Sequence, residues 1–453
     1  MIRIYFDSDV INNVHSGNLS ELEKFLSGHR EKFLIPYSAA HVLDKLPSDT
    51  PNNQDKFFED LDFLSQFCDN KILVYEKEKG FASGCITEAR NVLDEIRKQQ
   101  KLKEEFSNVG RLTACIYEDV LESEESELAN LWKALLEMPY LSPSDKSKII
   151  PFKEHWQNVM DESQAISKNP SVYKEKREEL WTKFKLPTHF NSWTEDSISM
   201  ISDEIKKRGE HADFFALVES NLDEKDRKDR FSYFLNCYHT LNNLGFYSDE
   251  IKPKRGKGLM NHLQDGTHCF FGAHCDYFVV TDQKLKAKTI VLYKALNIHT
   301  KVVSPEELVN DLTLRLNPNI VDWIALAINN NKPVDIQIDE EASKYLYRLD
   351  GFVFDYFTHV EVHKSNQENY YELWLRKCYP NYSNFMFYEE HDSVIRELHK
   401  YFNLNLEVEK MIDEFKKGKD VHQFDFLIEG RGIGRLSGTG RDFVLCLNFP
   451  FVA

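Results

Sequence analysis

The sequence predicts an α/β protein. A parallel sheet of order 3-2-1-4-5 is interrupted by a long helical insertion and followed by an α+β C-terminal region. Three observations predict this. Short β-branched and aromatic runs alternate with helical patterns over the first 75 residues. The strand signal then stops, and residues 80–255 carry only helical periodicity. A strand–helix alternation resumes at Tyr277.

In chain order, Ile2–Phe6 is the first expected strand and ends at Asp7. Asn18 or Ser20 caps a helix whose apolar side carries Leu22 and Phe25. Phe33–Tyr37 is a second strand, followed by helical Ala39–Leu43; Phe57, Phe58, Leu61 and Leu64 recur at helical spacing, and Lys71–Tyr75 is a third strand. Helices are expected near 128–136, 150–166, 173–185, 195–208, 211–222 and 224–243. Tyr277–Thr281 and Thr300–Val303 complete the sheet, and Ser304-Pro305-Glu306-Glu307 opens a helix with Pro in its first turn. Beyond 315 the pattern is mixed: helices over 317–328, 392–401 and 407–415, and a strand over 334–338. The expected organisation is a discontinuous sheet domain (1–78 and 259–312), a helical insertion (79–258) and a C-terminal α+β domain (313–453).

Composition narrows the function classes. The 453 residues suit about three domains. At 42% hydrophobic and 13% aromatic, the chain has ample core material and is no disordered polymer. No long uncharged apolar run is present, so no membrane association is expected. Asp7 interrupts the N-terminal apolar run as no signal peptide would, and the expected location is the cytoplasm. The eight scattered cysteines contain no CxxC pair and read as reduced, buried side chains. A net charge of −17 does not attract nucleic acid as a whole, so any polyanion must be met by a local basic patch or by metal ions.

Four acids fall where a sheet would gather them. Asp7 ends the first strand, and Asp44 lies on the helix after the second. Asp265 is expected to begin a helix, and Asp282 directly follows Tyr277–Thr281. With strand order 3-2-1-4-5, the strands ending at Asp7 and Asp282 flank the crevice where an open α/β sheet binds ligands. Clustered carboxylates repel unless a cation neutralises them, and an all-oxygen set suits Mg²⁺ or Mn²⁺. Such ions activate water and stabilise charge developing on a phosphodiester. Taken singly, each acid is more readily a helix cap or strand-end residue.

The local sequences sharpen this. Phe6-Asp7-Ser8-Asp9-Val10-Ile11 resembles the opening motif of PIN-domain nucleases. Pro36-Tyr37-Ser38 followed by Asp44 resembles their second motif, a strand-end Ser six residues before an acid. Asp265-Gly266-Thr267-His268, continuing to Thr281-Asp282, resembles their third and fourth motifs. The resemblance covers about residues 1–75 and 260–310. Asp44 replaces the usual Glu and is one methylene shorter; Asp9 stands where Asn or Ser is commoner and is a possible further ligand. The resemblance implies a Mg²⁺- or Mn²⁺-dependent endoribonuclease with Asp7, Asp44, Asp265 and Asp282 as catalytic metal ligands and water as nucleophile. A single-strand or flap-directed DNA nuclease and a catalytically silent PIN-like scaffold are the alternatives. A toxin or anti-phage effector under a regulatory protein partner is a setting suggested by analogy alone.

Ser38, Thr281 and His268 are expected at the substrate. His268 shares a helix face with Asp265 and either holds that acid or touches the scissile phosphate; a packed histidine is the plain alternative. His262, His268 and His274 are spaced by six and diverge on a helix, which argues against zinc. Lys252, Lys254, Arg255 and Lys257 form the best basic patch for phosphate, or a solvated loop. The glycine-rich, arginine-containing segment 429–441 reads as a hairpin between strands 424–428 and 443–447, in preference to an anion-binding loop.

Overall fold

A computed structural model describes residues 1–77, 80–98, 196–208, 212–222, 224–247, 259–316, 320–338, 342–365, 371–377, 387–404, 407–417, 422–428, 432–438 and 443–449, with a few positions between 171 and 178. The chain divides into two compact units, Met1–Glu88 with Leu186–Ser248 and Leu263–Ala453, and Ala89–Lys185 with Asp249–His262. The expected helices near 128–136, 150–166 and most of 173–185, and the basic patch Lys252, Lys254, Arg255 and Lys257, lie outside the described residues.

The first unit starts with β1 (Ile2–Phe6), α1 (Ser8–His15) and α2 (Ser20–Gly28). Leu19 caps α2 without a side-chain bond, so neither Asn18 nor Ser20 plays the expected part. β2 (Phe33–Leu34) and β3 (Tyr37–Ser38) follow. The expected strand 33–37 is thus broken at Ile35-Pro36, because Pro36 has no N–H for a ladder. Next come α3 (Ala39–Lys45), α4 (Gln54–Phe67), β4 (Lys71–Glu76) and β5 (Phe81–Ile86). β5 pairs antiparallel with β4 across a turn containing Gly80 at φ +69°, so strand structure continues past residue 80 where only helix was expected. The described helices of the middle region are α5 (Ser197–Arg208), α6 (Phe214–Ser220), α7 (Glu224–Lys228) and α8 (Arg230–Asn243).

α9 (Leu259–Gly272), β6 (Tyr277–Val279), α10 (Gln283–Ala295), β7 (Lys301–Val303) and α11 (Pro305–Arg315) complete this layer. α9 begins six residues before Asp265, which lies inside the helix and does not open it as expected. Apolar Leu259, Met260 and Leu263 carry the helical pattern back past the acid. The four-stranded sheet has the order β2-β1-β6-β7, all parallel. β3, the continuation of β2, pairs parallel with β4 in a three-stranded sheet β3-β4-β5. β1 is buried at every position, as a strand covered on both faces must be.

The C-terminal part follows with α12 (Ile320–Asn330), β8 (Asp335–Ile338), β9 (Ala342–Val353), β10 (Phe357–Ser365) and β11 (Tyr371–Arg376). α13 (Phe387–Phe402), α14 (Val408–Lys416), β12 (His422–Ile428), β13 (Gly432–Gly438) and β14 (Phe443–Phe449) end it. Its seven strands form an antiparallel sheet, β12-β13-β14-β11-β10-β9-β8. Val394, Ile395, Leu398, Met411 and Ile412 of α13 and α14 share a core with Val360, Leu375, Phe426, Leu436 and Leu445 of this sheet. The glycine-rich segment is not a bare hairpin loop: its middle is strand β13, between β12 and β14. A Cβ at Gly434 would sit 2.3 Å from the Phe426 ring, so this glycine makes room for an aromatic side chain. Arg435 forks onto Asp425 of β12 on an exposed face.

Buried charge joins the two layers. Arg3 of β1 grips Glu390 of α13 through two bonds of 2.7 and 2.6 Å. Asp276, just before β6, accepts from the Arg3 N–H at 2.8 Å and from Lys377 Nζ at 2.7 Å. Among the described residues no helix is long and apolar enough to cross a membrane, and Cys68, Cys85, Cys237, Cys269, Cys275 and Cys446 are free thiols.

Candidate functional site

The carboxyl edge of β1 carries the candidate site. The Asp7 N–H donates to Val279 O at 2.9 Å, extending the β1–β6 pairing to the acid itself. Asp7 stands at the N-cap of α1, yet its carboxylate makes no capping bond. It is 7% exposed. Burial, joined by the nearby charges of Asp9 and Asp44, pushes its carboxyl up to about 6 against the pull of His268.

Asp44 comes from α3. Ser38 opens that helix through a capping box with His41, and Asp44 follows one residue before the helix ends. Its Oδ2 accepts from Ser8 Oγ at 2.5 Å and lies 2.8 Å from His268 Nε2. Burial pushes this carboxyl up, but the His268 charge and the bonds from His268 and Ser8 hold it below the ordinary carboxylate range.

His268 is the hub. It is 1% exposed, on α9, one turn beyond Asp265. Burial alone pulls its pKa down; Asp44, Asp7 and Asp265 outweigh it and lift the imidazole to about 8. At neutral pH the ring is therefore an imidazolium with both nitrogens donating. Nε2–H serves Asp44, with Ser8 Oγ at 3.2 Å, and Nδ1–H serves the Tyr5 hydroxyl at 2.9 Å. Tyr5 Oη is in turn 2.7 Å from Ser38 Oγ. His41 Nδ1 accepts the Ser38 N–H at 3.0 Å, which leaves the proton on Nε2 for Phe6 O at 2.8 Å. Burial pulls His41 down to about 3, so this second ring is neutral.

Asp7, Asp44 and Asp265 thus act on one buried imidazolium, three negative charges against one positive. Ser38 is fully buried and bonded to Tyr5; Thr281 is part-buried beyond the end of β6. Asp9 is exposed on α1. Asp282 is exposed and caps α10, accepting from the N–H groups of Lys284 and Leu285 at 2.7 and 3.0 Å. Among the described residues, no three His, Cys, Asp or Glu side chains are grouped closely enough to hold a metal ion as they stand. Cys269 is bonded to Thr289, and His274 Nδ1 to Phe270 O. The arrangement is not a Ser-His-Asp triad, since Ser8 and Asp44 share Nε2 while Nδ1 faces Tyr5.

Asp44 lines an open groove of about 600 Å³ together with Lys45, Lys56, Glu59 and Asp60, and Lys45 Nζ lies 4.0 Å from Asp60. Lys45 Nζ donates to Asn12 at 2.8 Å on the groove wall. Tyr5, Ser8 and His41 were not singled out as functional from sequence. Tyr5 was legible in part, because it lies two residues before Asp7 in a strand and so shares its face. Comparison with protein-family models, with curated proteins and with solved structures returns no match.

Proposed function

We propose that this protein is a Mg²⁺- or Mn²⁺-dependent phosphodiesterase that cleaves RNA at a PIN-like site. The observation that carries the reading is the convergence of Asp7, Asp44 and Asp265 on buried His268, with Asp7 left short of positive charge. The topology supports it: β1 has a parallel neighbour on each side, and Asp7 leaves its carboxyl end, where α/β sheets form ligand crevices.

The chemistry of the donor set suits a hard divalent cation, and the carboxylates would have to close up around it, since among the described residues no three are grouped closely enough as they stand. Asp7, Asp44 and Asp265 offer oxygen only, and the raised Asp7 pKa marks a carboxylate that a cation would stabilise. These three would hold the ion, with Asp44 turning part of its carboxylate from His268. Asp282 would join only by leaving the α10 amides, so its contribution is at the margin of the site. Such an ion, when bound, supplies Lewis-acid stabilisation of the phosphodiester and a more acidic water.

The chain does the rest. His268 Nε2–H fixes the Asp44 carboxylate, and the Tyr5 hydroxyl fixes the ring from behind. Asp7, whose carboxyl burial holds near 6, would give up its proton as the cation is bound, so that its Oδ atoms serve the ion. Lys56 offers positive charge along the groove for a flanking phosphate, whereas Lys45 is held by Asn12 and Asp60.

The test is cleavage of end-labelled RNA and single-stranded DNA by the full chain with Mg²⁺, Mn²⁺ or EDTA, beside Asp7→Asn. Metal-dependent RNA cleavage lost in a folded Asp7→Asn protein supports the proposal. Cleavage of DNA alone favours the DNA nuclease instead. The Asp44–His268 pair and the Asp282 cap favour a second reading, a silent PIN-like scaffold. Absence of both cleavage and Mn²⁺ binding would establish that reading in place of the first.

A further inference from the structure

At the opposite, amino end of β6 and β7 the parallel sheet meets the antiparallel one over a small cleft. Its volume is about 40 Å³, room for a few waters or one tetrahedral anion, and His299, Lys301, Arg348, Thr358 and His359 line it together with the Asp276 carboxylate, which Arg3 and Lys377 neutralise. The register of the antiparallel sheet places three basic side chains in one row. His359 of β10 lies directly opposite Arg348 of β9 and Arg376 of β11, so all three share a face. Arg376 has Glu361 as its counter-ion and His359 is held neutral, so the open positive charge of the row is that of Arg348, which is exposed at the cleft mouth.

The nearby carboxylates are already engaged. Asp311 accepts from Tyr277, Lys301 and Arg315. Asp276 accepts from Arg3 and Lys377. Glu361 takes His363 and Arg376. Among the described residues Arg348 has no hydrogen bond or ion pair, and Arg376 Nε is buried without a partner. His359 is 5% exposed. Its Nδ1 is 2.9 Å from the Thr358 hydroxyl; with that hydroxyl donating, Nε2 keeps the proton and has no partner among the described residues. His299 stands beside it, ring centroids 6.3 Å apart. Burial and the charge of Arg348 hold both histidines below their ordinary pKa, the state expected while no anion is present.

We propose that this cleft is a binding site for a phosphoryl-type oxyanion, taken between Arg348, His359 and His299, with Lys301, held by Asp311, at its edge. The proposal does not depend on the nuclease reading, since it uses none of the same residues and lies at the other end of the sheet. The oxyanion comes either from free phosphate or from the phosphate of a nucleotide whose remainder stays outside so small a cleft.

Titration calorimetry and thermal melts of the full chain with inorganic phosphate, adenosine 5′-monophosphate and adenosine test it, beside Arg348→Ala and His359→Gln. Binding and a raised Tm with phosphate, weakened roughly tenfold or more in each variant, are expected, because a charge-assisted contact is lost. The His359 ring should also titrate at higher pH in phosphate than in chloride, by NMR. Adenosine should not bind. Monophosphate that competes with phosphate identifies a nucleotide source; monophosphate that does not compete identifies the free ion. No binding at millimolar phosphate, or binding equal in parent and both variants, overturns the proposal.

Discussion

Asp7 and His268 make stability at this site depend on pH, and the signs follow from their shifts. The native Asp7 carboxyl, at about 6, holds a proton more tightly than an unfolded one at 3.8. The native state therefore carries the extra proton between those values, and stability falls as pH rises through them. Asp7→Asn removes that cost, so it should unfold at higher urea than the parent at pH 7, by about 3 kcal/mol, with the difference vanishing near pH 4. His268 runs from 6.5 unfolded to about 8 folded. Its stabilisation is complete below 6.5 and lost as pH rises through 8. Tyr5→Phe leaves Nδ1–H buried without its acceptor. It should cost about 1–3 kcal/mol and lower the His268 pKa, which ring NMR would report. An unchanged His268 titration in Tyr5→Phe would mean that the hydroxyl does not hold the ring.

Helices and strands place these side chains through caps and close approaches. Asp282 is legible in the sequence as an acid just past a strand, but the structure gives its carboxylate to α10. Asn caps a helix about as well as Asp, whereas Ala costs about 1 kcal/mol. Circular dichroism melts should thus find Asp282→Asn near the parent and Asp282→Ala lower. Asp282→Asn then isolates charge from capping: if cleavage survives in it, Asp282 serves the helix only. Gly272 ends α9 where a Cβ would meet Phe278 at 2.7 Å. Gly272→Ala should destabilise by about 1–3 kcal/mol through overpacking, read as a lower denaturation midpoint with unchanged slope.

At the scale of the molecule, the Arg3–Glu390 pair links the first strand to a helix near the other end of the chain. Both side chains are almost fully buried, at 3% and 1% exposure. Removing one partner strands the other charge, so Glu390→Gln should cost about 3–5 kcal/mol, whereas the paired change Arg3→Met with Glu390→Leu should recover most of it. A chain cut to residues 1–312 would leave Arg3 and Asp276 without Glu390 and Lys377. It should therefore fail to give a cooperative unfolding transition, while the full first unit melts with both sheets together. Independent folding of 1–312 would show that the two layers are separate in energy as well as in sequence.

What the sequence by itself determined is whatever rests on local pattern. The buried run Ile2–Phe6, the Ser304 capping box and the Ser38–Asp44 spacing are readable because periodicity, caps and turn residues act over a few positions. Asp7 and Asp282 were legible as candidates for the same reason, each at the end of an apolar run, and Asp44 and Asp265 through their places in short motifs. Only the tertiary structure decided which of them meet. Asp44 reaches His268 from 224 positions away, and Tyr5 reaches it from 263. Whether a carboxylate caps its own helix, as Asp282 does, or is buried near other acids with a raised pKa, as Asp7 is, depends on groups that no local window contains. The row Arg348–His359–Arg376 is likewise invisible along the chain, because strand register, and not spacing, sets side chains of three strands abreast.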